Sequence, residues 1–245
     1  MKSLIYVTSR SSRLLLLLLP LAIAAPSAAE DVEYLFGGSF GAGSDYTFRG
    51  VSQTMGNYAI QASLEFSLSS GVYAYVWGSN VDFMPDGATD DGASHEVDMA
   101  IGYESDISEN WSVDVALIRY VFPGTVGGID YDYNELMAAV WYAGTYSATV
   151  AFTGDVDGTS EDSLFYKLGA SYELPSDTTL AVNLGHYDLS DAYGAAYSYV
   201  EVALAREIGN TAITLAYNDT QGSAGAIYDK RVTGPRLVLS LQIEW

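Results

Sequence analysis

Charged side chains recur at alternate positions within apolar stretches of this sequence, which places them together on one face of a β-strand. If the apolar face meets lipid, the charged face lines the interior of a barrel. A wall rich in acids would raise the local concentration of cations and repel anions. The alternative is that the acids solvate the interior, or pair with the few cations in a closed plug. The candidates for lining a pore are Asp45, Arg49, Glu65, Glu96, Asp98, Glu135, Lys167, Glu201 and Arg236.

Two histidines, His95 and His186, offer a second kind of chemistry. Both lie close to long connectors, and both fall on the apolar face. A serine hydroxyl against one of these imidazoles, with a third group to orient the ring, would make a lipid hydrolase on the outer wall. The sequence has no G-x-S-x-G motif and shows no serine at an evident spacing. Histidines that reach from the wall towards lipid head groups are the simpler interpretation.

The acidic stretch from Asp155 to Asp162 is similar to the start of a calcium-binding loop. It lacks the third acid before the glycine and the distant glutamate that such loops need. We therefore expect an acidic surface loop here, and the sequence predicts no metal ion and no cofactor.

The balance of charge restricts the class of function. Asp plus Glu total 31 against 10 for Lys plus Arg, so the chain lacks the clustered basic residues that nucleic acid requires. The sequence contains no cysteine, which excludes disulfides, thiolate metal sites and a cysteine nucleophile.

The first 29 residues have the features of a secretory signal peptide. Basic residues come first, Leu14 to Ala25 form an apolar stretch, and Ser27 to Ala29 supply small residues for cleavage. The apolar stretch is too short for a membrane-spanning helix of about 20 residues. We expect a cleaved signal peptide at 1–29 and one exported domain at 30–245.

Alternation of apolar and polar residues continues from Val32 to Trp245. The last stretch is the clearest, since every odd position from Leu237 onwards is Leu, Ile or Trp. The connectors alternate between short and long, as in a barrel with tight periplasmic turns and longer external loops. The inward faces of the third and fifth runs are ambiguous. Twelve runs are predicted as strands, near residues 34–49, 57–68, 71–81, 95–105, 111–122, 132–142, 145–154, 163–174, 178–187, 196–207, 211–218 and 232–245.

The length of the runs favours a membrane barrel over the alternative, a soluble β-sandwich. About ten residues cross a bilayer at a tilt, whereas average strands have roughly 5–6. Aromatic residues lie at both ends of the apolar faces, such as Tyr172 and Trp245 beside short turns and Phe48 and Phe152 beside long loops. Such belts match the two membrane interfaces. We predict an all-β fold, a transmembrane antiparallel up-and-down β-barrel of about twelve strands.

Three motifs are similar to those of a known family. Gly43 to Thr54 reads GSDYTFRGVSQT, Gly71 to Phe83 reads GVYAYVWGSNVDF, and Asp132 to Glu135 reads DYNE. In this order they resemble the TorF-type porins, also called the Gcw_chp family. The resemblance spans the mature chain and implies an outer-membrane location and a channel role. It implies no substrate and no catalytic residue.

The sequence therefore predicts an outer-membrane porin of a Gram-negative bacterium, a passive diffusion channel for small solutes with a preference for cations. It is not expected to be an enzyme. The expected partners are outer-membrane lipids and lipopolysaccharide, the barrel assembly machinery, which would read the terminal Trp245, and small solutes. Two alternatives stay open: a lipid-active enzyme with an outward-facing histidine, and a closed barrel with a structural or binding role.

Overall fold

Twelve antiparallel strands form one closed barrel in the computed structural model, which describes residues 33–84 and 90–245. Each strand pairs with its neighbours along the chain, and the first strand closes the barrel against the last. The predicted signal peptide at 1–29 lies outside the described residues. The barrel strands are β1 Tyr34–Gly43, β4 Ala59–Leu68, β5 Val72–Asn80, β6 His95–Ser108, β7 Trp111–Val121, β8 Tyr133–Tyr142, β9 Tyr146–Thr153, β10 Ser163–Leu174, β11 Thr178–Leu189, β12 Ala195–Ile208, β13 Thr211–Gly222 and β14 Arg236–Glu244.

Short elements occupy the connectors. Strands β2 (Thr47–Phe48) and β3 (Val51–Ser52) form a separate two-stranded sheet between β1 and β4. Two four-residue helices, α1 (Ser190–Tyr193) and α2 (Ala224–Ile227), lie in long connectors. Within the described residues, no helix is long and apolar enough to cross a membrane.

The seam of the barrel depends on a glycine. The Trp245 N–H donates to the Gly38 carbonyl at 3.1 Å, and the Gly38 N–H donates to the Trp245 carbonyl at 3.2 Å. A Cβ at Gly38 would come within 2.6 Å of the indole ring. Because Gly38 has no side chain, the last residue can lie flat against β1 and extend the pairing that closes the barrel.

The outer wall is apolar, as predicted. Leu168 lies in the middle of β10 and is 63% exposed, and Leu237 lies near the start of β14 and is 65% exposed. Leucines exposed in this pattern around a closed barrel require a hydrocarbon solvent, so the protein belongs to the outer membrane. The two ambiguous runs are resolved, because Tyr75 and Trp77 of β5 point inward while Val115 and Leu117 of β7 point outward.

The first predicted strand is too long. Strand β1 ends at Gly43, and the predicted run 34–49 continues into a segment that turns into the barrel. The alternation of this run predicts Tyr46 and Phe48 on the lipid face, but Tyr46 is 4% exposed and packs against Trp77 inside. The alternation of the sequence persists through this turn, which is why pattern alone extends the strand.

The opposite faces of β14 provide a test of the barrel's orientation. Leu241 points to lipid and Ser240 points to the lumen. We expect Leu241→Arg to cost about 2–4 kcal/mol because it places a charge in hydrocarbon, while Ser240→Arg is tolerated. Urea unfolding of the protein in lipid vesicles measures both values, and equal costs at the two positions would contradict the assignment of faces.

Candidate functional site

Residues 44–58, here called the lumen segment, leave β1 and fold back into the barrel. Thr47 pairs with Ser52 and Phe48 with Val51, forming a hairpin with Arg49 and Gly50 at its turn. Both turn residues have positive φ, 50° and 81° respectively. This backbone matches the two-residue turns that suit the twist of β-hairpins, although arginine seldom adopts it.

A buried carboxylate, Asp45, organises the base of the lumen segment. It accepts hydrogen bonds from the hydroxyls of Ser52 at 2.6 Å and Thr54 at 2.8 Å. It also pairs with Arg236 of β14, whose Nη1 lies 2.7 Å from Oδ2. The Asp45 carboxylate thus links the two ends of the hairpin to each other and to the barrel wall.

A second ion pair holds the tip of the lumen segment against the far wall. Arg49 Nη2 lies 2.7 Å and 2.6 Å from the two carboxylate oxygens of Glu135 on β8. Only 3% and 1% of these two side chains is exposed. The Tyr120 hydroxyl also donates to Glu135, at 3.2 Å. A buried charge without its partner is costly, so each member of the pair requires the other.

Aromatic rings surround the Arg49 guanidinium. Its central carbon lies 4.7 Å from the Phe48 ring, 4.1 Å from the Phe165 ring and 4.3 Å from the Tyr187 ring. Arg49 Nη1 has no hydrogen-bond acceptor among the described residues. The faces of the rings therefore stabilise the part of the cation that Glu135 does not reach.

The half of the barrel next to the long loops, here called the outer half, is packed. Aromatic side chains from many strands meet there around the lumen segment, and none is more than 7% exposed. Side chains buried to this extent leave little space for water between them. The residues are Tyr46, Trp77, Tyr120, Phe122, Tyr133, Phe165, Tyr187, Tyr197 and Tyr199.

The half next to the short turns is more open, and its interior is here called the inner vestibule. Glu65 on β4, Glu104 on β6, Lys167 on β10 and Asn183 on β11 point inward and are partly exposed. Two acids against one lysine give this wall a negative balance.

The nine predicted pore-lining residues do not share one water-exposed surface. Asp45, Arg49 and Glu135 form the two attachments of the lumen segment. Glu65 and Lys167 face the inner vestibule. A lining role for the nine stays a prediction. Of the others, Arg236 pairs with Asp45, and the inward residues buried in the packed region are Glu96, Asp98 and Glu201.

One long loop covers the packed region. Asp157 follows β9 in a short 3-10 turn and accepts a hydrogen bond from the Tyr193 hydroxyl at 2.9 Å. Burial raises the pKa of Asp157 to about 6, against the weaker opposing effects of Tyr193 and Arg49. The folded state therefore binds this proton more tightly than the unfolded chain does, so the contribution of Asp157 to stability falls as pH rises towards 6.

Asp155 of the same loop is exposed, and no group of acids or histidines in the described ranges is arranged to hold a metal.

Sequence comparison assigns the family. Residues 27–238 match the model of a family described as bacterial proteins of unknown function, Gcw_chp. The chain belongs to the Gcw_chp family. No curated protein matches it by sequence.

Solved structures show the same fold at low identity. The KdgM porin aligns with 84% of the chain and 98% of its own length, with 8% identity and a TM-score of 0.52. The NanC porin aligns with 86% of the chain and 99% of its own length, with 11% identity and a TM-score of 0.54. The Gcw_chp chain is therefore similar to porins in architecture.

The three motifs that carry the family resemblance meet at the lumen segment. The first motif, Gly43 to Thr54, forms most of the segment itself. The second supplies Trp77, which packs on Tyr46, and the third supplies Glu135, the partner of Arg49. The three motifs can be identified in the sequence, but the sequence alone does not show that they are in contact in the folded protein.

A contact on the outer wall was also missed. Ser198 of β12 lies directly opposite His186 of β11, and its Oγ is 3.0 Å from Nδ1 of the imidazole. The end of β11 and the connector with α1 separate the two residues, so no fixed sequence spacing predicts their contact. At the other histidine, the Ser94 hydroxyl lies 2.9 Å from Nδ1 of His95.

The buried ion pair can be tested by a double-mutant cycle. Arg49→Met leaves Glu135 buried without its partner, and we expect a loss of about 3–5 kcal/mol in the free energy of unfolding. Arg49→Met combined with Glu135→Met removes both charges and should recover most of that loss. Tryptophan fluorescence during urea unfolding follows the change.

The partly exposed pair between Arg119 and Asp132 is the matched control, with an N–O distance of 2.9 Å. Arg119→Met should cost at most about 1 kcal/mol because water screens both charges. Additive losses in the Arg49 and Glu135 variants would show that the two side chains do not depend on each other.

Proposed function

We propose that this Gcw_chp protein is a passive diffusion channel for small solutes in the outer membrane, and that the lumen segment closes it in the present structure. The observation that carries this proposal is that the β2–β3 hairpin is not part of the barrel sheet. The hairpin can therefore move while the barrel stays closed against lipid. The ion pairs of Arg49 and Asp45 are the main side-chain attachments that such a movement must break.

The inner vestibule supports a preference for cations. Glu65 and Glu104 face it against Lys167. At physiological salt the screening length is about 8 Å, so a solute in a narrow lumen still experiences the charge of the wall. At 1 M salt the length falls to about 3 Å, and the preference should weaken.

The acidic vestibule argues against polyanionic solutes. The KdgM porin has been solved in complex with oligogalacturonate, which is a polyanion by its chemistry. An acidic vestibule disfavours such a solute. Small cations and neutral solutes suit the Gcw_chp chain better.

A closed barrel with a structural or binding role is the second candidate. The packing of the outer half favours it, because inward residues such as Ile118 and Tyr120 are only 1% exposed. The two candidates differ in whether the lumen segment moves under conditions that support conductance.

Export and assembly complete the proposal. Residues 1–29, outside the described residues, would direct the chain across the inner membrane and be removed. The barrel assembly machinery would then bind the last strand through Trp245, whose ring is exposed beside the seam. Lipopolysaccharide would surround the acidic outer loops.

Glycines of the lumen segment provide a matched test of closure. A Cβ at Gly50 would lie 2.6 Å from Cβ of Tyr199 on the wall, whereas a Cβ at Gly56 would meet nothing within 4 Å. Both glycines have positive φ, 81° and 77° respectively. Gly50→Ala and Gly56→Ala therefore impose similar backbone strain, but only Gly50→Ala pushes the segment away from the wall.

We expect Gly50→Ala to raise single-channel conductance or open probability in planar bilayers, and Gly56→Ala to behave as the wild type. The electrophoretic shift between heated and unheated samples verifies that each barrel is folded. Folded Gly50→Ala protein with wild-type conductance would argue against closure by the lumen segment. Absence of conductance in all three proteins would favour the closed barrel with a binding role.

Ion selectivity tests the role of the inner vestibule. Glu65→Gln combined with Glu104→Gln replaces two carboxyl groups by amides of the same size, so the reversal potential in a salt gradient should shift towards zero. Glu109→Gln combined with Glu161→Gln makes the same replacement in exposed connectors. An equal shift in both double variants would mean that overall charge, and not the vestibule, sets the preference.

A further inference from the structure

Four inward side chains form a polar row across adjacent strands of the barrel. The strand pairing places Asn183 of β11 opposite Glu201 of β12, Glu201 opposite Asn218 of β13, and Asn218 opposite Arg236 of β14. One end of this polar row, Asn183, faces the inner vestibule, and the other end, Arg236, pairs with Asp45 of the lumen segment. The polar row therefore connects the wet part of the lumen with the base of the lumen segment.

Hydrogen bonding within the polar row is uneven. Asn183 Nδ2 donates to Glu201 Oε1 at 2.9 Å, and Arg236 Nη2 donates to the Arg231 carbonyl at 3.1 Å. Asn218 is fully buried, yet in the described part of the chain neither its Oδ1 nor its Nδ2 has a hydrogen-bond partner, and the same holds for Arg236 Nε. The unpaired groups thus lie on two residues that face each other across neighbouring strands.

The lumen segment contacts the wall on two sides of Asn218. Thr220 is the next inward residue of β13, and a Cβ at Gly50 of the segment would lie 3.0 Å from its Cγ2. Arg236, directly across from Asn218, is the partner of Asp45 at the base of the segment. The segment in its closed position therefore helps to keep water away from the Asn218 amide.

Burial of this amide without a partner costs free energy. An asparagine side chain can donate two hydrogen bonds and accept two, and in water all of them are made. In the closed lumen those of Asn218 are lost and are not replaced, which is unfavourable. Movement of the lumen segment away from β13 would return the amide to water. The effect is opposite in sign to that of the pair of Arg49 with Glu135, which stabilises the closed position.

We propose that Asn218 destabilises the closed position of the lumen segment, and that water in the lumen binds its amide when the segment moves away. Asn218 then offsets part of the stabilisation that the two ion pairs of the segment provide, so that the segment can leave the wall. The inference rests on the proposed function, because it takes the lumen segment as the element that closes the channel. It also identifies β13 and β14 as the part of the wall that water reaches first.

The substitution Asn218→Leu tests the proposal, because leucine has the same number of non-hydrogen side-chain atoms and no polar group. It is combined with Val51→Cys, which places a thiol on the buried hairpin of a chain without cysteine. In proteoliposomes, a membrane-impermeant maleimide should label this thiol about tenfold more slowly than in the protein with Asn218, which corresponds to ~1.4 kcal/mol. The urea concentration at the midpoint of unfolding should rise. Asn218→Val, with a smaller side chain, should act in the same direction.

Asn183→Leu is the matched control, since it makes the same change in the same polar row. The Asn183 amide is paired, so its loss removes a hydrogen bond to Glu201. We expect the urea midpoint to fall and the labelling of the Val51→Cys thiol not to slow. The electrophoretic shift between heated and unheated samples verifies that each barrel is folded.

Unchanged or faster labelling in both folded Asn218 variants would overturn the proposal, as would equal slowing in the Asn183→Leu variant. The labelling readout does not require conductance. Slower labelling in the Asn218 variants of a protein that does not conduct would refute the diffusion channel and would still support the role of Asn218.

Discussion

A cation buried inside a membrane barrel needs a fixed counter-charge, and the pairing of Arg49 with Glu135 meets this requirement. The pair joins the tip of the lumen segment to the opposite wall, with both carboxylate oxygens within 2.7 Å of one guanidinium nitrogen. Around it the aromatic residues of the outer half exclude water, which strengthens the attraction and raises the cost of separation. The position of the hairpin inside the barrel depends on this interaction and on the pair of Asp45 with Arg236, because the hairpin shares no ladder with the barrel sheet.

The distribution of charge along the lumen follows from the same constraint. In the packed outer half, Asp45 and Glu135 each face an arginine. In the inner vestibule, Glu65 and Glu104 keep contact with solvent. One barrel thus contains a dry, paired region and a wet, acidic region, and only the second is available to a solute while the lumen segment is in place.

The sequence predicts the barrel well because a period of two has direct structural consequences. Each membrane strand must alternate, so twelve strands and most of their faces follow from the pattern. The prediction fails where the alternation continues beyond the end of a membrane strand. Tyr46 and Phe48 alternate as β1 does, yet they meet aromatic residues and not lipid. Strand β5 was ambiguous because its inward side chains, including Trp77, pack against the lumen segment and are as apolar as its outward ones.

The functional contacts were harder to predict because they join distant parts of the chain. Arg49 and Glu135 are 86 residues apart in the sequence. Their contact depends on a positive φ at Arg49, which the conformational preferences of arginine do not predict. The pairing of His186 with Ser198 depends on the register across the connector that holds α1. Residue types indicated an acidic interior, but which acids pair and which meet water is decided by the fold.

Chemical labelling of Val51 would test closure by the lumen segment most directly. The chain has no cysteine, so Val51→Cys introduces a single thiol at a site only 3% exposed in the hairpin, and Val126→Cys places one on an outer loop at 51% exposure. In proteoliposomes, a membrane-impermeant maleimide should label Val51→Cys far more slowly than Val126→Cys, and its rate should rise with conductance as voltage or salt is varied. Conductance in a bilayer while Val51→Cys stays protected, or equal labelling of the two variants at rest, would contradict the account.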